Sequence, residues 1–238
     1  MAKVIMKDIR KPDYYYAEAI KTLRTNLQFS GKNIKTILFT SCYPNEGKSD
    51  ITFSLAQEMG GIGKRVLLLD VDIRKSVYMS RFKVEGSIFG LSQYLSGQLD
   101  EAYRLIYHTN FPNLDIIFAG PSAPNPSGLL GGEVFEELLK TVRDHYDYVF
   151  IDTPPIGTII DAAVVAEKCD GAVLLIESET VSYRVAQKAL AQLEKSGCTI
   201  LGSVLNKVDT KKDKYYSSYY SRYGKYYEKI QEEPGKQD

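Results

Sequence analysis

At 238 residues, 44% of them hydrophobic and 25% charged, the chain can enclose one substantial core and has the make-up of an ordinary globular protein. Its 30 basic and 30 acidic residues cancel, which excludes a global field that recruits nucleic acid or an anionic membrane, so any polyanion site must be local. Three scattered cysteines, Cys42, Cys169 and Cys198, argue against a disulfide framework, and His108 and His145 do not stand at metal-ligand spacing with them.

The opening MAKVIMKDIRKPD lacks an apolar signal-type core, and no run approaches the roughly 18 apolar residues of a spanning helix. We therefore expect a cytoplasmic chain, held at a membrane only through a partner. Asp13 ahead of YYYAEAIKTLRTNLQF predicts an N-capped amphipathic helix, with Ala17, Ile20, Leu23 and Leu27 at helical spacing and Gly31 beyond its end. Tyr14, Tyr15 and Tyr16, in its first turn, are expected to pack or to face a neighbouring subunit. Short apolar runs then recur at 36–41, 66–71, 114–119, 148–152, 171–176 and 199–205, and read as buried strands. Helical stretches at 47–60, 132–144, 160–168 and 181–196 alternate with them, as in an α/β doubly wound, mostly parallel sheet. Ligands of such sheets bind beyond the C-terminal ends of the strands. GPSAPNPSG (120–128) reads as a turn-rich loop. After Val208 the aliphatic pattern stops, which predicts a mobile tail.

The first strand of the core ends in SCYPNEGKSD, so Gly47, Lys48 and Ser49 fall where a helix begins. Backbone N–H groups of such a turn, together with the positive end of the helix dipole, attract phosphate oxygens. Lys48 is expected to bridge terminal phosphates and Ser49 to give magnesium an oxygen ligand. The pattern GxxxxGK[ST] is not strictly met, because Cys42 stands in place of the first glycine and Asn45 where a second is common; asparagine tolerates the left-handed conformation this demands. Asn45, Glu46, Gly47, Lys48, Ser49 and Asp50 form the expected nucleotide-binding set. LLLDVDIR places Asp70 and Asp72 at the end of the next strand, with an expected common face, and YDYVFIDTPP ends another strand in Asp152. One lysine and three acids thus converge on one sheet edge, a constellation suited to ATP with Mg2+.

Together SCYPNEGKS, VLLLDVDIR and VFIDTPP resemble the Walker A, A′ and B motifs of the bacterial tyrosine kinases (BY-kinases) of capsule and exopolysaccharide loci. The resemblance runs from about Tyr16 to the tail and includes the GPSAPNPSGLL loop, the DTPP segment and a tyrosine cluster. It implies a P-loop NTPase of the deviant Walker type, a phosphate and metal site of Lys48 and Ser49, and metal positioning by Asp72 and Asp152. It also implies a catalytic Asp70 that takes the proton of the attacking tyrosine. Arg74 belongs to the same motif, either as a stabiliser of phosphate charge or as a surface ion pair. Glu18, Lys21 and Arg24 resemble the E-x-x-R-x-x-R motif that pairs subunits in a ring, with lysine replacing one arginine; the alternative is a solvated helix face. Asp50 departs further, since the family usually carries threonine there, and a carboxylate about 6 Å from a phosphate charge costs on the order of 3 kcal/mol at an effective dielectric near 20.

Of 18 tyrosines, seven cluster in the tail: Tyr215, Tyr216, Tyr219, Tyr220, Tyr223, Tyr226 and Tyr227, expected phosphate acceptors. The expected organisation is 1–31, an N-terminal segment with the oligomerisation helix; 32–208, the kinase core; and 209–238, the tyrosine-rich tail. The resemblance further implies an activating transmembrane adaptor of the polysaccharide co-polymerase type, a homo-oligomeric ring, an antagonist tyrosine phosphatase and no nucleic-acid partner. A Min/Par-type partitioning ATPase shares the fold, but its loop has a lysine where this chain has Tyr43. A catalytically weak assembly scaffold is the third reading, raised by Asp50. Asn206, after the last strand, either contacts adenine or simply ends the strand.

Overall fold

The computed structural model describes residues 2–7 and 13–209. The segments Met1–Asn206 and Lys207–Asp238 form two units, and every helix and strand described belongs to the first. The tyrosine cluster, and with it the mobile-tail reading, lies outside the described residues.

The strands are β1 (Ala2–Lys3), β2 (Thr36–Ser41), β3 (Val66–Asp70), β4 (Tyr107–His108), β5 (Leu114–Ile117), β6 (Tyr148–Asp152), β7 (Gly171–Glu177) and β8 (Ile200–Asn206). They form one sheet in the order β1-β4-β5-β3-β6-β2-β7-β8. Every neighbouring pair is parallel except β4 with β5. The helices are α1 (Tyr14–Phe29), α2 (Lys48–Gly61), α3 (Tyr78–Arg81), α4 (Leu91–Leu95), α5 (Pro126–Gly131), α6 (Glu133–His145), α7 (Asp161–Ala166) and α8 (Tyr183–Lys195).

All residues of β2 and β3 are buried, because helices cover both faces and an apolar side chain is wanted on each. Alternation then divides the core in two. Ile37, Phe39, Leu68 and Phe150 pack on one face with Ile20 and Leu27 of α1 and with Phe53, Leu55 and Met59 of α2. Leu38, Leu67, Leu69 and Ile151 pack on the other with Leu130, Phe135, Leu138, Val165 and Leu193 from α5 to α8. The sheet is therefore doubly wound, as the strand and helix pattern predicts.

Local chemistry accounts for the element ends. Asp13 caps α1, its carboxylate accepting from the Tyr16 N–H at 2.7 Å. Three expectations change. The run 66–71 is strand only as far as Asp70, and Val71 keeps one bond to the sheet, its N–H donating to the Asp152 carbonyl at 2.8 Å. The segment 120–128 is not all loop: Asn125 accepts from the Gly128 N–H, Pro126 supplies a preset helical φ, and α5 begins there. The run 199–205, expected as a buried strand, forms the edge strand β8, in which no residue is buried and Leu205 is 54% exposed, because only β7 flanks it; the two-residue strands β1 and β4 at the other edge carry no periodicity that a sequence reading detects.

Candidate active site

The C-terminal ends of β2, β3 and β6 lie side by side, since the sheet order places β6 between the other two. The loop from Cys42 to Gly47 leaves β2 and feeds α2. Two of its residues take positive φ: Asn45 at 67° and Gly47 at 84°. The Gly47 conformation needs glycine twice over, because a Cβ there would also meet Asn206 Nδ2 at 2.3 Å. Asn45 tolerates its conformation, as the sequence suggests.

The loop is held from inside. The Glu46 carboxylate, 2% exposed, accepts from the Cys42 N–H at 3.1 Å and the Tyr43 N–H at 3.0 Å. Glu46 thus serves the loop as an internal staple, its carboxylate turned to the backbone of Cys42 and Tyr43. Asn206 ends β8 and its Nδ2 donates to the Glu46 carbonyl at 2.8 Å, so its amide positions the loop. Behind Cys42, the segment after Asp152 closes in: Ile156 N–H donates to the Ser41 carbonyl at 2.9 Å, and a Cβ on Gly157 would meet the Cys42 carbonyl at 2.3 Å.

Lys48 begins α2 and is 8% exposed. Its Nζ lies 2.5 Å from Asp152 Oδ1 and 3.3 Å from Ser49 Oγ. Asp152, 1% exposed, is the register partner of Asp70 across β3 and β6, so the two carboxylates emerge side by side. Asp70 is fully buried and accepts from Ser76 Oγ at 2.5 Å, the Asp72 N–H at 3.2 Å and the Ala119 N–H at 3.4 Å. Burial, and then the neighbouring Asp152 charge, push its carboxyl up to about 7. A carboxyl at that value exchanges protons near neutral pH, as a general base must.

Asp72 departs from expectation. It stands beyond the end of β3, where the alternation of strand side chains no longer applies, and its Oδ1 accepts from the Arg74 N–H at 3.3 Å and the Lys75 N–H at 2.9 Å. It caps its own turn instead of sharing a strand face with Asp70. Of the two readings of Arg74 the ion pair is the one formed: itself exposed, it makes a bidentate pair with the fully buried Asp161 at the start of α7, at 2.7 and 3.0 Å. Asp50, expected beside the phosphates, is engaged by Arg81 at the end of α3.

Gly47, with its left-handed turn that no side chain would fit, and Lys48 beside two acids match a nucleoside triphosphate with magnesium. Among the described residues no group of three His, Cys, Asp or Glu side chains forms a ready cation cage. Magnesium suits such a site because it takes one or two protein oxygens and completes its shell with phosphates and water.

On α1, Lys21 and Glu18 pair with each other at 2.7 Å, while Arg24 reaches inward to Glu58 of α2 at 2.6 Å. All three expected ring residues are thus paired within their own chain.

The AAA domain family model matches residues 35–196. The tyrosine-protein kinase CpsD of Streptococcus agalactiae is 40% identical over 204 residues, covering 86% of this chain and 87% of that protein. The chain belongs to the bacterial tyrosine-protein kinases. The solved kinase domain of Escherichia coli tyrosine kinase ETK superposes on this kinase with a TM-score of 0.78 at 27% identity, covering 87% of this chain and 90% of that one. The septum site-determining protein MinD of Pyrococcus horikoshii, complexed with Mg-ADP, shares the fold at a TM-score of 0.64 and 25% identity, over 74% of this chain and 71% of its own. The kinase reading therefore displaces the partitioning ATPase.

Four residues of the kinase site escape a sequence reading. Ser76 bonds Asp70, Asp161 holds Arg74, Arg81 engages Asp50, and Tyr78 is fully buried with its hydroxyl donating to the Ser49 carbonyl at 3.2 Å. Burial and the charges of Asp152 and Asp70 raise the Tyr78 phenol well above its ordinary value, so it stays a neutral donor. The only available sequence signal is proximity to LLLDVDIR or, for Asp161, to VFIDTPP.

Proposed function

We propose that the chain transfers the terminal phosphoryl group of ATP to tyrosine hydroxyls, beginning with the seven tail tyrosines of another copy of itself. The observation that carries this reading is the arrangement of Asp70, Asp152 and Lys48 on one sheet edge beside the glycine-bearing loop.

Bound ATP and Mg2+ supply the transferable group and neutralise its charge. Lys48 would give the terminal phosphates a fixed positive charge, and Ser49 Oγ and Asp152 would provide oxygens for the metal, with Asp72 Oδ2 as a further oxygen, its turn contacts being made by Oδ1. Asp70 accepts the proton of the attacking hydroxyl while that oxygen bonds phosphorus and the bond to the leaving ADP oxygen breaks. A tyrosine hydroxyl, with an ordinary pKa of about 10, needs such a base close by. Arg74 acts through Asp161, tying the loop after β3 to α7.

The finer reading extends to regulation. The kinase serves capsular or exopolysaccharide synthesis and export, assembles as a homo-oligomeric ring, answers to a transmembrane adaptor and is reversed by a tyrosine phosphatase. Family membership supports these roles. No helix among the described residues is long and apolar enough to cross a membrane, which is consistent with attachment through such an adaptor.

Incubating the purified chain with ATP and Mg2+, beside Lys48→Met and Asp70→Asn, and mapping phosphotyrosine by mass spectrometry tests the reading. Phosphate on residues 215–227 that vanishes in both variants supports it. Its absence in the native chain, even with an adaptor's cytoplasmic segment added, refutes it.

A further inference from the structure

Asp50 is the third residue of α2, two positions after Lys48, and is the acidic residue of that helix's first turn. There a carboxylate serves the helix dipole but repels a polyanion bound at the same helix end. The carboxylate is held by Arg81, the last residue of α3. The short helix that brings Arg81 there is itself anchored on α2. Tyr78 donates to the Ser49 carbonyl at 3.2 Å, and the ring of Phe82, just past α3, packs 4.2 Å from Phe53 of α2 and stacks on Tyr78. The Arg81 guanidinium also lies 5.6 Å from the Phe82 ring centroid, which limits its freedom to follow Asp50 elsewhere.

We propose that Arg81 is a positioning residue for nucleotide binding, holding the Asp50 carboxylate on the α3 side of the helix so that it does not turn toward the phosphates. This deepens the ATP reading and rests on it. It also removes the reason to regard Asp50 as a mark of a weak catalyst, since this chain places a guanidinium on the carboxylate that replaces the family's usual threonine.

Two ways for Arg81 to act make different predictions. If it acts through Asp50, its removal matters only while the carboxylate is present. If it acts by its own charge on the phosphates, its removal matters equally without Asp50, because such charge effects add.

The test is a double-mutant cycle on the full chain, with Mg-ATP affinity measured by calorimetry for the native protein, Arg81→Gln, Asp50→Asn and the double variant. Expected are about a tenfold loss for Arg81→Gln, near the scale of one partly screened like charge, and less than about a twofold effect of the same change in the Asp50→Asn background. Arg81→Lys, which keeps the charge, is expected to bind within about threefold of native. Circular dichroism melting of each variant monitors folding, and the Asp50→Asn pair keeps the test open if Arg81→Gln alone melts early. Equal losses in both backgrounds, or no loss for Arg81→Gln, overturn the proposal. Lys48→Met separates the two levels: a native chain whose Mg-ATP binding is absent, or unaffected by Lys48→Met, overturns the site assignment itself and this inference with it.

Discussion

Asp70→Asn offers a test of the site that needs no substrate. In the folded chain the Asp70 carboxyl sits at about 7, against an ordinary 3.8, because it is buried and faces Asp152. That shift of about 3 units, at about 1.4 kcal/mol each, amounts to on the order of 4 kcal/mol. The sign follows from linkage. A group raised on folding gives its full contribution below the unfolded value, and loses it as pH rises through the folded value. The native chain should therefore lose stability progressively between about pH 4 and pH 7, relative to a variant that cannot ionise. Asparagine keeps its one oxygen for Ser76 and the Ala119 N–H and loses the bond from the Asp72 N–H, a loss that does not vary with pH, so the pH dependence of the comparison isolates the charge. With no tryptophan in the chain, urea unfolding followed by circular dichroism is the suitable assay, without nucleotide or metal, from pH 4 to 8.5. The stability gain of Asp70→Asn should widen across that window and level off above about pH 7. A gain that does not vary with pH, or one largest in acid, would refute the account of Asp70. The same variant should form phosphotyrosine roughly 10²–10⁴-fold more slowly, the range for loss of a general base.

Lys48→Met should abolish nucleotide binding and also lower stability by about 3 kcal/mol, because Asp152 is left buried without its cation; an unchanged melting temperature counts against that ion pair. Gly47→Ala should remove ATP binding through backbone strain at φ 84° and displacement of Asn206, and a calorimetric titration that still shows native affinity contradicts the loop geometry. Full phosphorylation of the seven tail tyrosines adds roughly −10 to −14 charges, so any assembly should dissociate. Native mass measurement before and after ATP treatment checks this, with equal masses refuting it.

Much of the molecule is readable from its residues because its core strands are buried on both faces. Such strands must be continuous apolar runs, and β2, β6 and β7 stand out accordingly in the sequence. Asp70 and Asp152 are legible as strand-end acids, but their pairing across β3 and β6 depends on the sheet order, which no local pattern encodes. Asp72 shows the limit of the period-2 rule: it assigns a face only while the strand lasts, and β3 ends two residues earlier. Ser76, Tyr78 and Arg81 lie on or beside a four-residue helix too short to display a period. Arg74 finds its partner 87 positions away, which is invisible to spacing, as is the reach of Arg24 to Glu58 across two helices. The acceptor role of the tail rests on its composition alone.

Lys48 is paired with Asp152 inside the folded chain. An ammonium has three N–H groups, two of which are directed at Asp152 and Ser49, so an anion that engages the lysine shares it with a carboxylate anchored in the sheet. Two variants with identical contacts to ATP can therefore differ widely in dissociation constant, if one of them weakens the lysine's existing attachment. The ammonium's contribution to affinity is set by how it divides its donors between the sheet and the phosphate.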